Sequence, residues 1–206
     1  MVKEKKISAA KQRIIDNHKQ QSLRLKEEGY TEKAETVSVI KANIMVVVTA
    51  LPIVIVGVLL WVLVRKESAL LPSGQGFLIL LAAFVATIFI HEALHGVGWS
   101  FGAKGRWKSM YIGVMWDSLT PYCHCREPLT PGQYIFGCLF PVFILGAGLY
   151  AVAFATGNST ILWLALLNIL AAGGDILIAL MAAKYVGKKT YVLDHPTDCG
   201  FMAYLS

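Results

Sequence analysis

The chain has 206 residues, 56% hydrophobic and only 16% charged, with a formal net charge of +6 and a mean hydropathy of +0.58. Soluble domains carry about a quarter charged residues, so this balance excludes an ordinary soluble globule and indicates a polytopic membrane protein. The positive charge gives no ground for a nucleic-acid partner, because membrane topology accounts for where the basic residues fall.

Residues 1–43 hold ten Lys/Arg and six acids and read as a basic, helical arm. Such an arm is either simply solvated or in contact with anionic lipid or a partner. It is polar for too long to be a cleavable signal peptide, so the first apolar segment is expected to remain as an anchor. That segment runs from Ile44 to Val64 and closes on Arg65-Lys66-Glu67. The turn-like Pro72-Ser73-Gly74-Gln75-Gly76 leads into a second, Phe77 to about Phe101. A third spans about Tyr134 to Ala155, and a fourth Ile161 to about Ala183. At about 1.5 Å rise per residue, each can cross a hydrocarbon core about 30 Å thick. The expected fold is therefore all-α, with four transmembrane helices in one membrane-embedded domain over residues 44–206. An even number of spans puts both termini on one side. That side then holds seventeen of the nineteen Lys/Arg, leaving only Arg65 and Lys66 opposite. The positive-inside rule places both termini and the 102–133 loop in the cytoplasm of a plasma-membrane protein. Cys123, Cys125, Cys138 and Cys199 are not spaced as a disulfide framework and read as free thiols.

The second segment carries the chemistry. It ends in His91-Glu92-Ala93-Leu94-His95. Four residues apart on a helix, the two imidazoles share one face and can reach one metal ion. Glu92 projects beside the ion, where it can take a proton from a water that the metal activates. Two nitrogen ligands next to a carboxylate base point to Zn2+. A catalytic zinc needs a third protein ligand and an open position. Asp117, His124, Glu127, Asp194, His195 and Asp198 lie in expected loops, whereas Asp175 is the one other acid within an apolar span. His91 lies as far past Phe77 as Asp175 lies past Ile161, which gives both the same depth, about 21 Å of helix rise. One shared ion explains two costly polar sites at one depth; the alternative is that Asp175 accepts a hydrogen bond from a neighbouring helix or from Asn168. Gly173 and Gly174 would allow close approach of the fourth span to the second, or mark a kink.

A helix-embedded His91-Glu92-x-x-His95 with a distal membrane aspartate resembles the site-2 type intramembrane metalloproteases. The whole layout is more similar to the zincin-type peptidase family of multi-pass bacterial membrane proteins, long catalogued as a domain of unknown function. The matching residues are His91 to Gly96, Pro121-Tyr122-Cys123-His124-Cys125, Pro141, Gly174-Asp175, Val192-Leu193-Asp194 and Gly200. The resemblance implies a membrane-embedded zinc peptidase, with His91, His95 and Asp175 as ligands and Glu92 as base. It departs from the site-2 pattern after Asn168: no proline precedes Asp175, and Ile176 follows it.

Cys123-His124-Cys125 is too closely spaced for a usual structural zinc site. The apolar Met110–Trp116 and the rest of that loop are expected to cover the active site or to hold an extended, strand-like substrate. His195 is a candidate substrate or oxyanion contact, or simply part of a turn before Pro196. The expected partners are the lipid bilayer and a membrane or membrane-proximal protein substrate. The competing readings are a non-catalytic metal-binding scaffold or metal handler, which would have no need of Glu92, and a metal transporter, for which the spans offer few polar groups.

Overall fold

The computed structural model describes residues 8–66, 69–115 and 120–206. Helix α1 (Ala9–Glu27) starts where the Ser8 side chain accepts from the Lys11 N–H, and carries Arg24 and Lys26 in its last turn, favourable at the negative end of the helix dipole. After strand β1 (Thr31–Thr36), α2 (Val39–Val64) starts on the Ser38 cap and α3 (Gly74–Ser100) on the Ser73 cap. A 3-10 turn, Arg106–Ser109, leads to the hairpin of β2 (Met110–Met115) and β3 (Thr120–Cys125). Thr130 and Gln133 form a capping box at the start of α4 (Pro131–Pro141), with Pro131 where the first helical turn needs no N–H donor. A π-helical stretch, Val142–Gly148, joins α4 to α5 (Leu149–Thr156). Then follow α6 (Ser159–Ala171), α7 (Gly173–Ala183), β4 (Thr190–Asp194) and β5 (Gly200–Leu205).

Three stretches among the described residues are long and apolar enough to cross a membrane: Asn43–Val64, Gly74–Ser100 and Pro131–Thr156. Helices α6 and α7, bent by 45°, make a fourth when counted as one broken span. Their outward faces are apolar, with Leu63, Leu78, Val85 and Leu180 all more than half exposed, as a lipid-facing surface requires. The molecule fits a membrane protein.

The all-α expectation needs correction. The chain is mostly helical, but five strands form two sheets on the loop side of the bundle. β1, β5 and β4 make an antiparallel sheet in that order, and β2 pairs with β3. The reason is non-local pairing. The sequence of β1, Thr-Glu-Lys-Ala-Glu-Thr, has no apolar alternation, and it is a strand because Thr31 to Thr36 pair with Leu205 to Gly200 at the far end of the chain. Gly200 has φ +142°, and a Cβ there would lie 2.1 Å from the Glu35 carbonyl oxygen, so only glycine lets the two strands close. The fourth span is also not one straight helix. It breaks at Ala172, where the Gly173 backbone packs so tightly on α2 that a Cβ would sit 2.8 Å from the Val46 oxygen. The Thr49 hydroxyl, 2.8 Å from the Met45 carbonyl of its own helix, also lies 3.1 Å from the Gly173 carbonyl and ties α2 to the break.

Glu35 fastens β1 to the end of α7. It accepts from Lys184 Nζ and Tyr185 Oη, both at 2.5 Å, and from Lys33 Nζ at 3.0 Å. Burial alone would raise its pKa, but these donors hold the carboxyl at about 2. A carboxyl depressed in the folded state stabilises fully above its ordinary value near 4.5, and that contribution fades as pH falls through about 2. Glu35→Gln should therefore loosen β1 at pH 5, seen as faster pepsin cleavage within residues 31–36, and the difference from wild type should vanish near pH 2. A difference that persists to pH 2 would mean that these ion pairs do not hold the strand.

Candidate functional site

His91 and His95 lie within the last three turns of α3, and Asp175 in the first turn of α7. The break at Ala172 makes Asp175 a first-turn residue of α7, where the helix start favours a carboxylate, and its side chain reaches the two histidines of α3. His91 Nε2 lies 3.0 Å from Asp175 Oδ2 and 3.1 Å from His95 Nε2, and His95 Nε2 lies 3.3 Å from Asp175 Oδ1. These side chains are 13%, 7% and 26% exposed, so the cluster is largely enclosed. No other set of three or more His, Cys, Asp or Glu donors gathers this closely among the described residues.

The rings are held by backbone. A residue at position 141 would ordinarily donate its N–H to the Gly137 carbonyl, but Pro141 has none. That carbonyl instead takes the Nδ1–H of His95 at 2.9 Å. A carbonyl only accepts, so the hydrogen is on Nδ1 and the Nε2 lone pair faces His91 and Asp175. The other side of the ring stacks on Trp99, centroids 5.1 Å apart and planes 17° apart, and Trp99 stacks in turn on Tyr134. Trp99 Nε1 donates to the Tyr134 carbonyl at 3.0 Å. The absent Cβ of Gly137 makes room for Trp99, since a methyl there would lie 1.9 Å from its ring. One turn before His91, Thr87 Oγ1 accepts from Asn168 Nδ2 at 3.2 Å and links α3 to α6. Asn168 is thus engaged with Thr87 rather than with Asp175.

This donor set fits zinc. Two imidazole nitrogens and a carboxylate are zinc donors, and a tetrahedral ion with bonds of about 2.1 Å separates its ligands by about 3.4 Å, close to the spacing here. Without a cation, two ring nitrogens would face one another and a carboxylate with too few hydrogens to share.

Glu92 is half-buried on the same helix end, and the backbone N–H of Cys123 on β3 faces its carboxylate. The hairpin lies against α3 at Gly96, where a Cβ would meet Trp107, Cys123 Sγ and Ile112 at 3.0–3.3 Å. So the loop that reads as a cover from sequence does pack beside the candidate base. The other acids and histidines considered as third ligand lie elsewhere. Glu127 accepts from Lys104 N, Gly105 N and Ser109 Oγ. Asp194 accepts from Tyr134 Oη at 2.6 Å and lies 3.5 Å from His124 Nδ1, and His195 lies by Asp198 in a turn. Asp117 and Trp116 fall outside the described residues. Burial, then the Asp194 and Glu92 carboxylates, push the Cys123 thiol up, and burial leads Cys125 to about 12. Cys123, His124 and Cys125 do not bring three donor atoms together among the described residues, so the geometry gathers no second metal cluster there.

Residues 84–189 match the model of a family described as "putative zincin peptidase". The chain belongs to that family. Its metal is zinc, and its members are zinc metallopeptidases by type. No curated protein and no solved structure matches this zincin-family chain. The matched segment begins about two turns before His91 and contains both histidines, Glu92, the hairpin, Pro141 and Asp175, but neither the N-terminal arm nor β4 and β5.

Sequence reasoning missed Trp99, Tyr134 and the Gly137 carbonyl. Pro141 was the available signal: a proline inside a span frees the carbonyl four residues earlier, and a buried carbonyl needs a donor. Two outcomes follow for metal content, measured by mass spectrometry on detergent-purified protein. Wild type should carry about one zinc per chain, as a single three-donor site requires, and His91→Ala and Asp175→Ala should each lose it. Pro141→Ala restores a competing N–H at Gly137 and should weaken zinc by about 10- to 100-fold in a chelator titration, as loss of an outer-shell partner does. Unchanged affinity in Pro141→Ala would mean that the carbonyl does not orient His95.

Proposed function

We propose that this chain is a membrane-embedded zinc metallopeptidase that hydrolyses peptide bonds of membrane or membrane-proximal proteins near the cytoplasmic face, with His91, His95 and Asp175 holding the metal and Glu92 as general base. The observation that carries this reading is the meeting of the three donors from two separate helices, with Glu92 one residue from the first of them. A zinc ion held there would supply an acidified water and a Lewis acid for the peptide carbonyl. Glu92 takes the proton of the attacking water and returns it to the leaving amine. His95, locked by Gly137 and Trp99, keeps its lone pair aimed into the site through both steps.

The hairpin supplies a place for substrate. Among the described residues β3 pairs with β2 alone, and its other edge at Cys123, before Asp194 takes the Cys125 N–H, is where an extended peptide could lie next to Glu92. Such a peptide's carbonyl would take the Cys123 N–H and leave Glu92 free to act. A transmembrane substrate must unwind before its amides become available, and a strand template at the helix end favours the unwound form.

Topology is supported from two directions. Basic residues cluster on the arm, the 102–133 loop and the C-terminal end. In addition β1 and β5 pair in continuous register, so the flanks of the spans lie on one side, which calls for an even number of crossings. Counting α6 and α7 as one broken span gives four, with both ends cytoplasmic.

Glu92→Gln tests the base. Its zinc content should equal wild type, while hydrolysis of fluorescent peptide mixtures in detergent should fall by at least about 100-fold, the usual share of a general base. Equal turnover in Glu92→Gln, or no turnover in zinc-loaded wild type, would favour the metal-binding scaffold.

A further inference from the structure

Along strand β3 lies a cavity that hydrolysis itself does not use. Along the open edge of β3, the N–H of Cys123 faces Glu92, and the N–H of Cys125 donates to Asp194 Oδ2 at 3.1 Å. Beyond Cys125 this side of the chain is closed, because Leu129 and Val192 exchange both backbone hydrogen bonds. Against the edge sits a cavity of about 170 Å³, whose walls include Ile14 of α1, Tyr122, Cys123 and His124 of β3, and Asp194 and His195.

Two groups in it are incompletely matched. His124 is 6% exposed, and its Nε2 has no hydrogen-bond partner among the described residues. Native proteins pair nearly all such atoms, so this one points to an absent ligand. Burial lowers the His124 pKa against the pull of Asp194, so the ring is neutral at pH 7. With Asp194 Oδ2 3.5 Å from Nδ1, the hydrogen belongs on Nδ1 and Nε2 is an acceptor. Asp194 itself receives the Tyr134 hydroxyl and the Cys125 N–H, but no Lys or Arg pairs with it among the described residues. His195 Nδ1 is taken up within its own turn, accepting from Thr197 N and Asp198 N. The walls of the cavity therefore hold one buried acceptor without a partner and one carboxylate without a cation among the described residues. A hydroxyl or amide would satisfy the first alone. An ammonium group satisfies both, and the space holds one long side chain.

We propose that this cavity is a substrate subsite for a basic side chain, lysine above all, of an extended peptide lying along the open edge of β3. The inference rests on the peptidase reading for its meaning, but it can be tested by binding alone. Short extended peptides of Ser, Thr and Val, fluorescein-labelled and carrying one lysine at each position in turn, are compared with the same peptides carrying norleucine. Binding to the zinc-loaded, full-length wild type in detergent is read by fluorescence anisotropy. Lysine at one position should bind about tenfold more tightly than norleucine, the scale of a charge-assisted hydrogen bond. The advantage should disappear in both His124→Phe and Asp194→Asn, while their zinc content reports that the bundle is intact. Equal binding of lysine and norleucine peptides, no binding of any peptide, or an advantage that survives in both variants would overturn the subsite. A lysine preference that depends on His124 and Asp194 in a protein that hydrolyses nothing would keep the subsite and sink the peptidase reading.

Discussion

Two imidazoles and a carboxylate lie 3.0–3.3 Å apart in a bundle whose helices are otherwise almost wholly apolar. In hydrocarbon such groups must satisfy one another or share an ion, and much of the surrounding architecture follows from that requirement. The break at Ala172 brings Asp175 to the start of a helix, within reach of the α3 histidines. Thr49 and the close passage of α2 support the break. Pro141 leaves the Gly137 carbonyl for His95, and the lack of a side chain at Gly137 admits the Trp99 ring that stacks on that histidine. Each of these features is unfavourable or neutral for an isolated helix. Together they fix three donors in the spacing that zinc takes.

The layer beneath the bundle has a different physics. Its strands are short, and two of them stand alone as a hairpin, which would be marginal by itself. Packing on α3 at Gly96 holds the hairpin, and leaves the open edge of β3 beside Glu92. Asp194, on β4, closes that edge at Cys125 and ties it to Tyr134, whose ring belongs to the stack behind His95. One carboxylate thus joins the strand edge to the wall of the metal cluster. The family match ends before β4, so this link is made by a segment that lies outside the matched residues.

The N-terminal arm joins the same layer. Leu25 of α1 packs with Leu193, Met202 and Tyr204, β1 completes the sheet on β5, and Ile14 forms a wall of the cavity at β3. A charged segment that could have been free in solution is thereby packed against both sheets.

From sequence alone, the apolar segments, the basic flanks and His91-Glu92-x-x-His95 were readable, because hydropathy and helical spacing are local properties. Asp175 could be singled out too, since an acid within an apolar run is rare and its depth matched that of His91. The sheets were not readable. β1 looks like charged arm and owes its conformation to pairing with a strand at the other end of the chain. Nor could the spacing reveal the broken fourth helix, the stack of His95, Trp99 and Tyr134, or the meeting of His124 with Asp194. Each of these joins residues from separate elements, and only the packed chain determines which buried polar groups find one another.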